Sequence, residues 1–281
     1  MTIRSIGIVY DPAKQTATNL ARELEKWLGS QQLRVWLSST HESERIRSRV
    51  SDSDLMLCLG GDGTILRVVQ DIIPVRTPIT AVNLGRLGFM CQFSPDHIRE
   101  TLTALLNGEG WIHERAMLQA TVQNDSSVFH SLNDIVVSGA IADRNVTIDA
   151  VVGEQRLTAY CGNGVILATA TGSTAYSLSA GGPILEAHSR EFVLVPLLPV
   201  RGLRNPVVLP ANSVVKLCVT CTGDVTLTVD GHRHVAIPDG ATITIEASSI
   251  TARFLVIGQD VFYGTLEERL RGKHQVSHSD I

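Results

Sequence analysis

The chain has no block of like charge, no long unbroken apolar run, no internal repeat and no low-complexity tract. With 24 Lys and Arg against 28 Asp and Glu, its net charge of −4 predicts no basic groove, so nucleic acid is not an expected partner. The most apolar stretch, Phe192 to Val200, is short and broken by Pro196 and Pro199, so neither a membrane span nor a signal peptide is expected. Five cysteines without framework spacing fit a reducing cytoplasm better than a secreted disulfide scaffold. Cys218 and Cys221 form a C-x2-C, yet no second pair or His pair completes a zinc set, and their neighbours alternate as in a strand. Two nucleotide-binding motifs are also missing: the Gly-Lys-Ser/Thr of a Walker A loop and the spaced G-x-G-x-x-G of dinucleotide folds.

At 281 residues the chain exceeds the usual size of one core, which predicts two domains sharing a cleft. Ile6 to Val9, the helical face Ala17, Leu20, Ala21, Leu24 and Leu28, then Leu33 to Leu37, Leu55 to Leu59 and Ile79 to Val82 make a βαβ rhythm. That rhythm implies a parallel sheet. From about residue 114, period-two segments such as Val225-Thr226-Leu227-Thr228-Val229 and Ile243-Thr244-Ile245 predict an antiparallel β domain. The helix-like pattern Ile98, Leu102, Leu105 and Leu106 lies near the expected junction, with domains drawn at 1–100 and 101–252. Phe254 to Ile257 and Leu266 to Leu270 lack the β-domain pattern, and residues 273–281 read as a mobile tail.

A strand followed by Gly60-Gly61-Asp62-Gly63-Thr64, and then by the helical Ile65, Leu66, Val68 and Val69, puts bare backbone amides at a helix N-terminus, where phosphate oxygens bind. A carboxylate there repels phosphate unless it either coordinates Mg²⁺ or accepts the proton of an acceptor hydroxyl. It serves equally well as a plain helix cap in a tight turn. The second constellation, Thr169 to Pro183, crowds hydroxyls and small residues behind Val165-Ile166-Leu167. It reads either as a Ser/Thr-capped helix start or as a set of donors and acceptors for ribose and amide groups.

Taken in order, Gly60 to Thr64, Asn83-Leu84-Gly85-Arg86-Leu87-Gly88-Phe89, Leu132-Asn133-Asp134, Thr171 to Pro183 and Asp230-Gly231 resemble the NAD kinase family over roughly residues 5 to 265. Gly-Gly-Asp-Gly alone also resembles lipid kinases and phosphofructokinases; the Thr-Gly-Ser-Thr-Ala-Tyr block is far more diagnostic. The resemblance implies an α/β N-terminal domain with a Rossmann-like parallel sheet and a β-rich C-terminal domain. A C-terminal segment, about residues 253–272, would return to the first domain. The implied activity moves the γ-phosphoryl of ATP, or of polyphosphate, to the 2′-hydroxyl of NAD's adenosine ribose, giving NADP, in a cytoplasmic homodimer or homotetramer.

In those terms Asp62 is the catalytic proton acceptor, Gly60, Gly61, Gly63, Thr64 and Arg67 hold phosphates, and Mg²⁺ comes with ATP, near Asp62, without a dedicated protein site. The NAD contacts are Asp62, Gly63, Phe89, Asn133, Asp134, Arg144, Asn163, Thr174, Ala175, Tyr176, Ser177, Leu178, Ser179 and His232, with Phe89 offering a ring face to a base.

The chain departs from the family in five places, two of them Thr169-Ala170-Thr171-Gly172 for Thr-Pro-Thr-Gly and Arg204-Asn205-Pro206 for Asn-Arg-Pro. The family's Asp-Gly is Asn163-Gly164 here, its basic residue two positions earlier is Cys161, and its Pro-His is Pro199-Val200. These changes spare the phosphate turn and touch the expected acceptor pocket. Two further readings follow: a kinase of the same fold acting on a related nucleotide or nucleoside, or a catalytically silent dinucleotide-binding regulator.

Overall fold

The computed structural model describes residues 2–85, 88–91, 93–139, 146–221, 223–258 and 262–274. They form two compact units, residues 1–114 with 252–281, and residues 115–251.

The first unit begins with β1 (Ser5–Tyr10), α1 (Gln15–Ser30), β2 (Arg34–Ser39), α2 (Ser43–Arg49), β3 (Leu55–Gly60), α3 (Asp62–Ile72), β4 (Ile79–Asn83), α4 (Ile98–Leu106) and β5 (Trp111–Arg115). Strand β1 lies between β2 and β3, parallel to both, and β3 pairs parallel with β4. Every residue of β3 is buried, as in interior strands of parallel sheets covered on both faces. Helix α1 buries Ala17, Ala21, Leu24 and Leu28, a helical stripe that packs with Ile6, Ile8 and Leu57. The chain leaves β1 for β2 on one side and then passes to β3 on the other, which makes a topological switch point. Open α/β sheets bind ligands at the carboxyl ends of strands at such a point. There Tyr10 lies beside Leu59, and Gly60 beside Asn83.

The second unit contains β6 (Leu118–Val122), β7 (Val128–Ser131), β8 (Asp134–Gly139), β9 (Val146–Val152), β10 (Gln155–Gly162), β11 (Gly164–Ala168), the one-turn α5 (Tyr176–Ser179), β12 (Phe192–Leu197), β13 (Val207–Leu209), β14 (Val214–Thr220), β15 (Val225–Val229), β16 (Arg233–Ile237) and β17 (Thr242–Ala247). The strands form two six-stranded sheets, ordered β10-β9-β14-β17-β6-β7 and β13-β12-β11-β8-β15-β16. Alternate residues, among them Ile135, Val137, Val165, Leu167, Val215, Leu217, Ile243 and Ile245, meet in one core. The second sheet also buries its other face: Val136, Ile166, Val193 and Val195 pack with Ala180 and Leu185. Double coverage explains why β11 and β12 are apolar throughout instead of alternating.

Strand β18 (Ala252–Val256) then pairs parallel with β4, giving the first unit the order β2-β1-β3-β4-β18-β5, and α6 (Phe262–His274) follows. The first unit extends beyond residue 100, because Ile98, Leu102 and Leu105 of α4 pack into the core around Ile6 and Leu57. Of the expected tail, residues 273 and 274 end α6, and 275–281 lie outside the described residues. Cys218 sits in β14 with Cys221 just past its end, and both thiols are free. Among the described residues no group of three or more His, Cys, Asp or Glu is placed to hold a metal, and no helix is long and apolar enough to cross a membrane.

Candidate active site

Strand β3 ends at Gly60, where a Cβ would stand 2.1 Å from Thr64 Oγ1, so the turn closes only around glycine. The Thr64 and Ile65 N–H groups donate to Gly61 O at 2.9 and 3.4 Å. The amides of Asp62 and Gly63 precede the helical ladder and carry the positive end of the helix dipole. Helix α3 buries Thr64, Ile65, Leu66, Val68, Val69, Asp71 and Ile72. Gly63 and Arg67 are exposed and, four residues apart, share one face. Thr64 is buried against Gly60, which takes its hydroxyl off that open face.

The Asp62 carboxylate is held by the loop after β4. Oδ2 accepts the Phe89 N–H at 2.8 Å, and Oδ1 accepts those of Met90 at 3.1 Å and Cys91 at 3.4 Å. A Cβ on Gly88 would lie 2.3 Å from Asp62 Oδ1. The Gly88-Phe89 part of the motif is therefore a seat for this carboxylate, built from successive amides and a bare Cα. Since a carboxylate accepts up to about four hydrogen bonds, Asp62 keeps capacity for another donor. The Phe89 ring, expected to offer a face to a base, is enclosed here: the residue is 6% exposed and the Arg269 guanidinium lies 5.8 Å from its ring centroid. Its backbone N–H is what reaches Asp62. The Cys91 thiol is pushed well above its ordinary range by burial and then by the Asp62 charge, which leaves it unreactive.

One cation at this strand edge carries no motif in the sequence. Lys14, after β1, directs Nζ to Leu84 O at 3.3 Å, and the Leu84 N–H donates to Gly60 O at 2.8 Å. Its signal was position: the loop after the first strand of a switch point lies beside the loop after the third.

In the second unit the organising group is Asp230, a residue the motif included without a role. Asp230 and Gly231 both have positive φ, 49° and 69°, in the turn between β15 and β16. The Asp230 side chain, 4% exposed, turns back onto the chain before β8. Oδ1 accepts Ser131 Oγ–H at 2.6 Å and the N–H groups of Asn133 at 2.7 Å and Asp134 at 3.2 Å; Oδ2 accepts Leu132 N–H at 3.0 Å. Burial, followed by the Asp230 charge, pushes the Asp134 carboxyl up from 3.8 to about 7.

The hydroxyl-rich block is laid against this corner. Thr169 Oγ1 donates to Leu132 O at 2.6 Å and accepts the Gly172 N–H at 3.0 Å. A Cβ on Gly172 would stand 2.0 Å from Asn133 O, so the two backbones touch. Ser173 Oγ donates to Ala170 O at 2.6 Å, and Thr174 Oγ1 to Thr171 O at 3.2 Å. Most of these hydroxyls shape their own turn, and few are left for a ligand. Buried without a partner are Asn133 Oδ1, Thr171 Oγ1 and Ser177 Oγ. An unmet buried polar atom costs about 1–3 kcal/mol, so each of the three leaves a demand for a complementary group. Ser177 is fully buried and packs against Gly182. Thr174 is buried, Ala175 and Leu178 are half-buried, and Tyr176, Ser179 and His232 are exposed. Arg144 lies outside the described residues.

Asn163 stands at the opposite end of β11. Ala168 pairs with Asp134, whereas Asn163 O accepts the Gly139 N–H at 3.1 Å. The four residue steps from Gly164 to Ala168 span about 13 Å. Asn163 N–H donates to Leu197 O at 3.0 Å, and Val200 N–H to Cys161 O at 2.8 Å. Three of the departures from the family pattern, Cys161, Asn163 and Val200, thus gather in one patch, in which Val200 is 57% exposed.

Comparison with known proteins decides the family. The family described as "ATP-NAD kinase N-terminal domain" matches residues 38–110, and "ATP-NAD kinase C-terminal domain" matches residues 132–257. An NAD kinase of Dehalococcoides mccartyi is 36% identical over 277 residues, covering 97% of this chain and 98% of the relative. The chain belongs to the NAD kinase family. A further NAD kinase, from Chloroflexus aurantiacus, is 33% identical over 273 residues, covering 96% and 99%. The solved NAD kinase from Archaeoglobus fulgidus in complex with ATP matches with TM-score 0.78 and 25% identity, covering 95% of this chain and 99% of that one. Yeast NADH kinase complexed with NADH matches in fold with TM-score 0.86 at 22% identity, covering 100% and 91%.

Two outcomes are expected of this NAD kinase family member. Gly88→Ala drives a Cβ into the Asp62 carboxylate, and displacing it should lower turnover by about a hundredfold while the melting temperature changes little. Steady-state kinetics beside thermal denaturation reads both. Asp134 keeps its proton to about pH 7 when folded but only to about 3.8 when unfolded, so the folded state binds more protons between them and stability falls as pH rises through that window. Urea denaturation at pH 5 and pH 8 should show a loss of up to about 3 kcal/mol, and Asp134→Asn, neutral throughout, should flatten it.

Proposed function

We infer that this protein is an NAD kinase, which transfers the γ-phosphoryl of ATP to the 2′-hydroxyl of the adenosine ribose of NAD and yields NADP. The observation that carries the reading is Asp62: a carboxylate in an anion-binding turn, seated by three N–H groups with a lone pair to spare. Asp62 accepts the proton of the 2′-hydroxyl as its oxygen bonds to the γ-phosphorus, and the bond to the β-phosphate oxygen breaks to release ADP. A loose transition state asks little of the base, so orientation matters more than basicity. The Asp62 and Gly63 amides, with Arg67 and Lys14, suit the phosphate oxygens. Asn133 Oδ1 and Thr171 Oγ1 suit the amino group and ring nitrogens of an adenine.

Mg²⁺ would enter as the companion of the triphosphate. When bound it neutralises charge on the transferring group. Free thiols at all five cysteines accord with a reducing cytoplasm.

Purified protein with MgATP and NAD should form NADP, read by an NADP-specific dehydrogenase, and Asp62→Ala should abolish turnover while NAD binding stays within about threefold. No NADP with either ATP or polyphosphate would sink the reading. The patch of Cys161, Asn163 and Val200 favours a second reading, in which a related nucleotide is the better acceptor. An acceptor panel followed by ADP release separates the two: Asn163→Asp, which restores a negative charge, should raise kcat/KM for NAD, and an unchanged ranking would mean that this patch does not read the acceptor.

A further inference from the structure

Helix α6 half-buries Phe262, Thr265, Leu266, Arg269 and Leu270, while Tyr263, Gly264, Glu267, Glu268 and Arg271 are exposed. The spacing is that of one docked helical face, and Arg269 is the charged residue on it. Withdrawing a guanidinium from water is costly unless its donors find partners. Arg269 Nη1 donates to Phe89 O at 3.1 Å and its guanidinium carbon lies over the Phe89 ring, while Nε is buried without a partner. A side chain held for helix docking alone would be better served by leucine.

The bonded carbonyl is the informative feature. Phe89 O belongs to the same peptide group as the Met90 N–H, which donates to Asp62 Oδ1 at 3.1 Å. Two hydrogen bonds therefore run from a cation through one peptide plane to the carboxylate. A cation on the carbonyl oxygen polarises the peptide and strengthens its N–H as a donor. Holding the plane also aims the flanking Phe89 and Cys91 amides, which bind the same carboxylate.

We propose that Arg269 is a positioning residue for the reaction, holding the Asp62 carboxylate in place through the Phe89–Met90 peptide. The proposal rests on the reading of Asp62 as proton acceptor, and Arg269 itself need not touch substrate. It gives α6 a role at the active site that the position of Arg269 near the end of the chain does not suggest.

The test compares full-length wild type, Arg269→Met and Arg269→Lys by residue-resolved amide hydrogen exchange and by kcat and KM with MgATP and NAD. In Arg269→Met, exchange at Met90 should rise and kcat should fall, each by about tenfold or more, with both KM values within about twofold. Arg269→Lys, which keeps a charged donor, should recover much of both. Arg269→Gln repeats the comparison if the methionine variant does not fold. Unchanged Met90 exchange, or a loss confined to KM, overturns the proposal. The exchange arm needs no turnover, so an inactive wild type with faster Met90 exchange in the variant would sink the functional reading and leave the Arg269 contact standing.

Discussion

The Asp62 carboxylate accepts N–H bonds from three successive residues of the loop after β4, and the arrangement of the first unit's site follows from that interaction. A carboxylate at the first position of a helix already faces the positive end of the helix dipole. Seating it on Gly88 and the Phe89 to Cys91 amides turns a mobile side chain into a directed acceptor, and it ties two loops at one strand edge together. Glycine at 88 is required because the carboxylate occupies the space of a Cβ. The first amides of α3 and the Lys14 ammonium share this strand edge with a carboxylate whose direction is already set.

The second unit uses the same device with a different result. Asp230 gathers Ser131 Oγ and three backbone amides, and the corner so formed supports the turn from Thr169 to Thr174. Here the carboxylate is enclosed, and its role is to shape the backbone beside Asn133 and Asp134. Its charge contributes to the raised proton affinity of Asp134, so the structural device carries an electrostatic consequence for its neighbour.

Much of the fold was legible because burial imposes period on sequence. The stripe of α1, the apolar run of β3 and the alternation of β15 and β17 each report which faces meet the core. The change to period two near residue 114 was legible, whereas the unit to which α4 belongs was not, because its stripe shows that the helix packs but not against which core. Within the candidate site, residue type and spacing mark segments but not what each side chain meets. Phe89 acts through its amide, Ser177 is enclosed, and Thr169, Ser173 and Thr174 bond within their own turn.

The order of motifs from Gly60 to Asp230 determined the family and the kind of chemistry, since residue type and close spacing are properties of the chain itself. Tertiary structure alone decided what each carboxylate faces. Asp62 meets amides 27 to 29 residues away, Asp230 meets partners 96 to 99 residues away, and Arg269 reaches Phe89 across 180. Hydrogen bonds over such separations exist only after the sheets have brought distant loops to one edge, so no local pattern in the sequence encodes them.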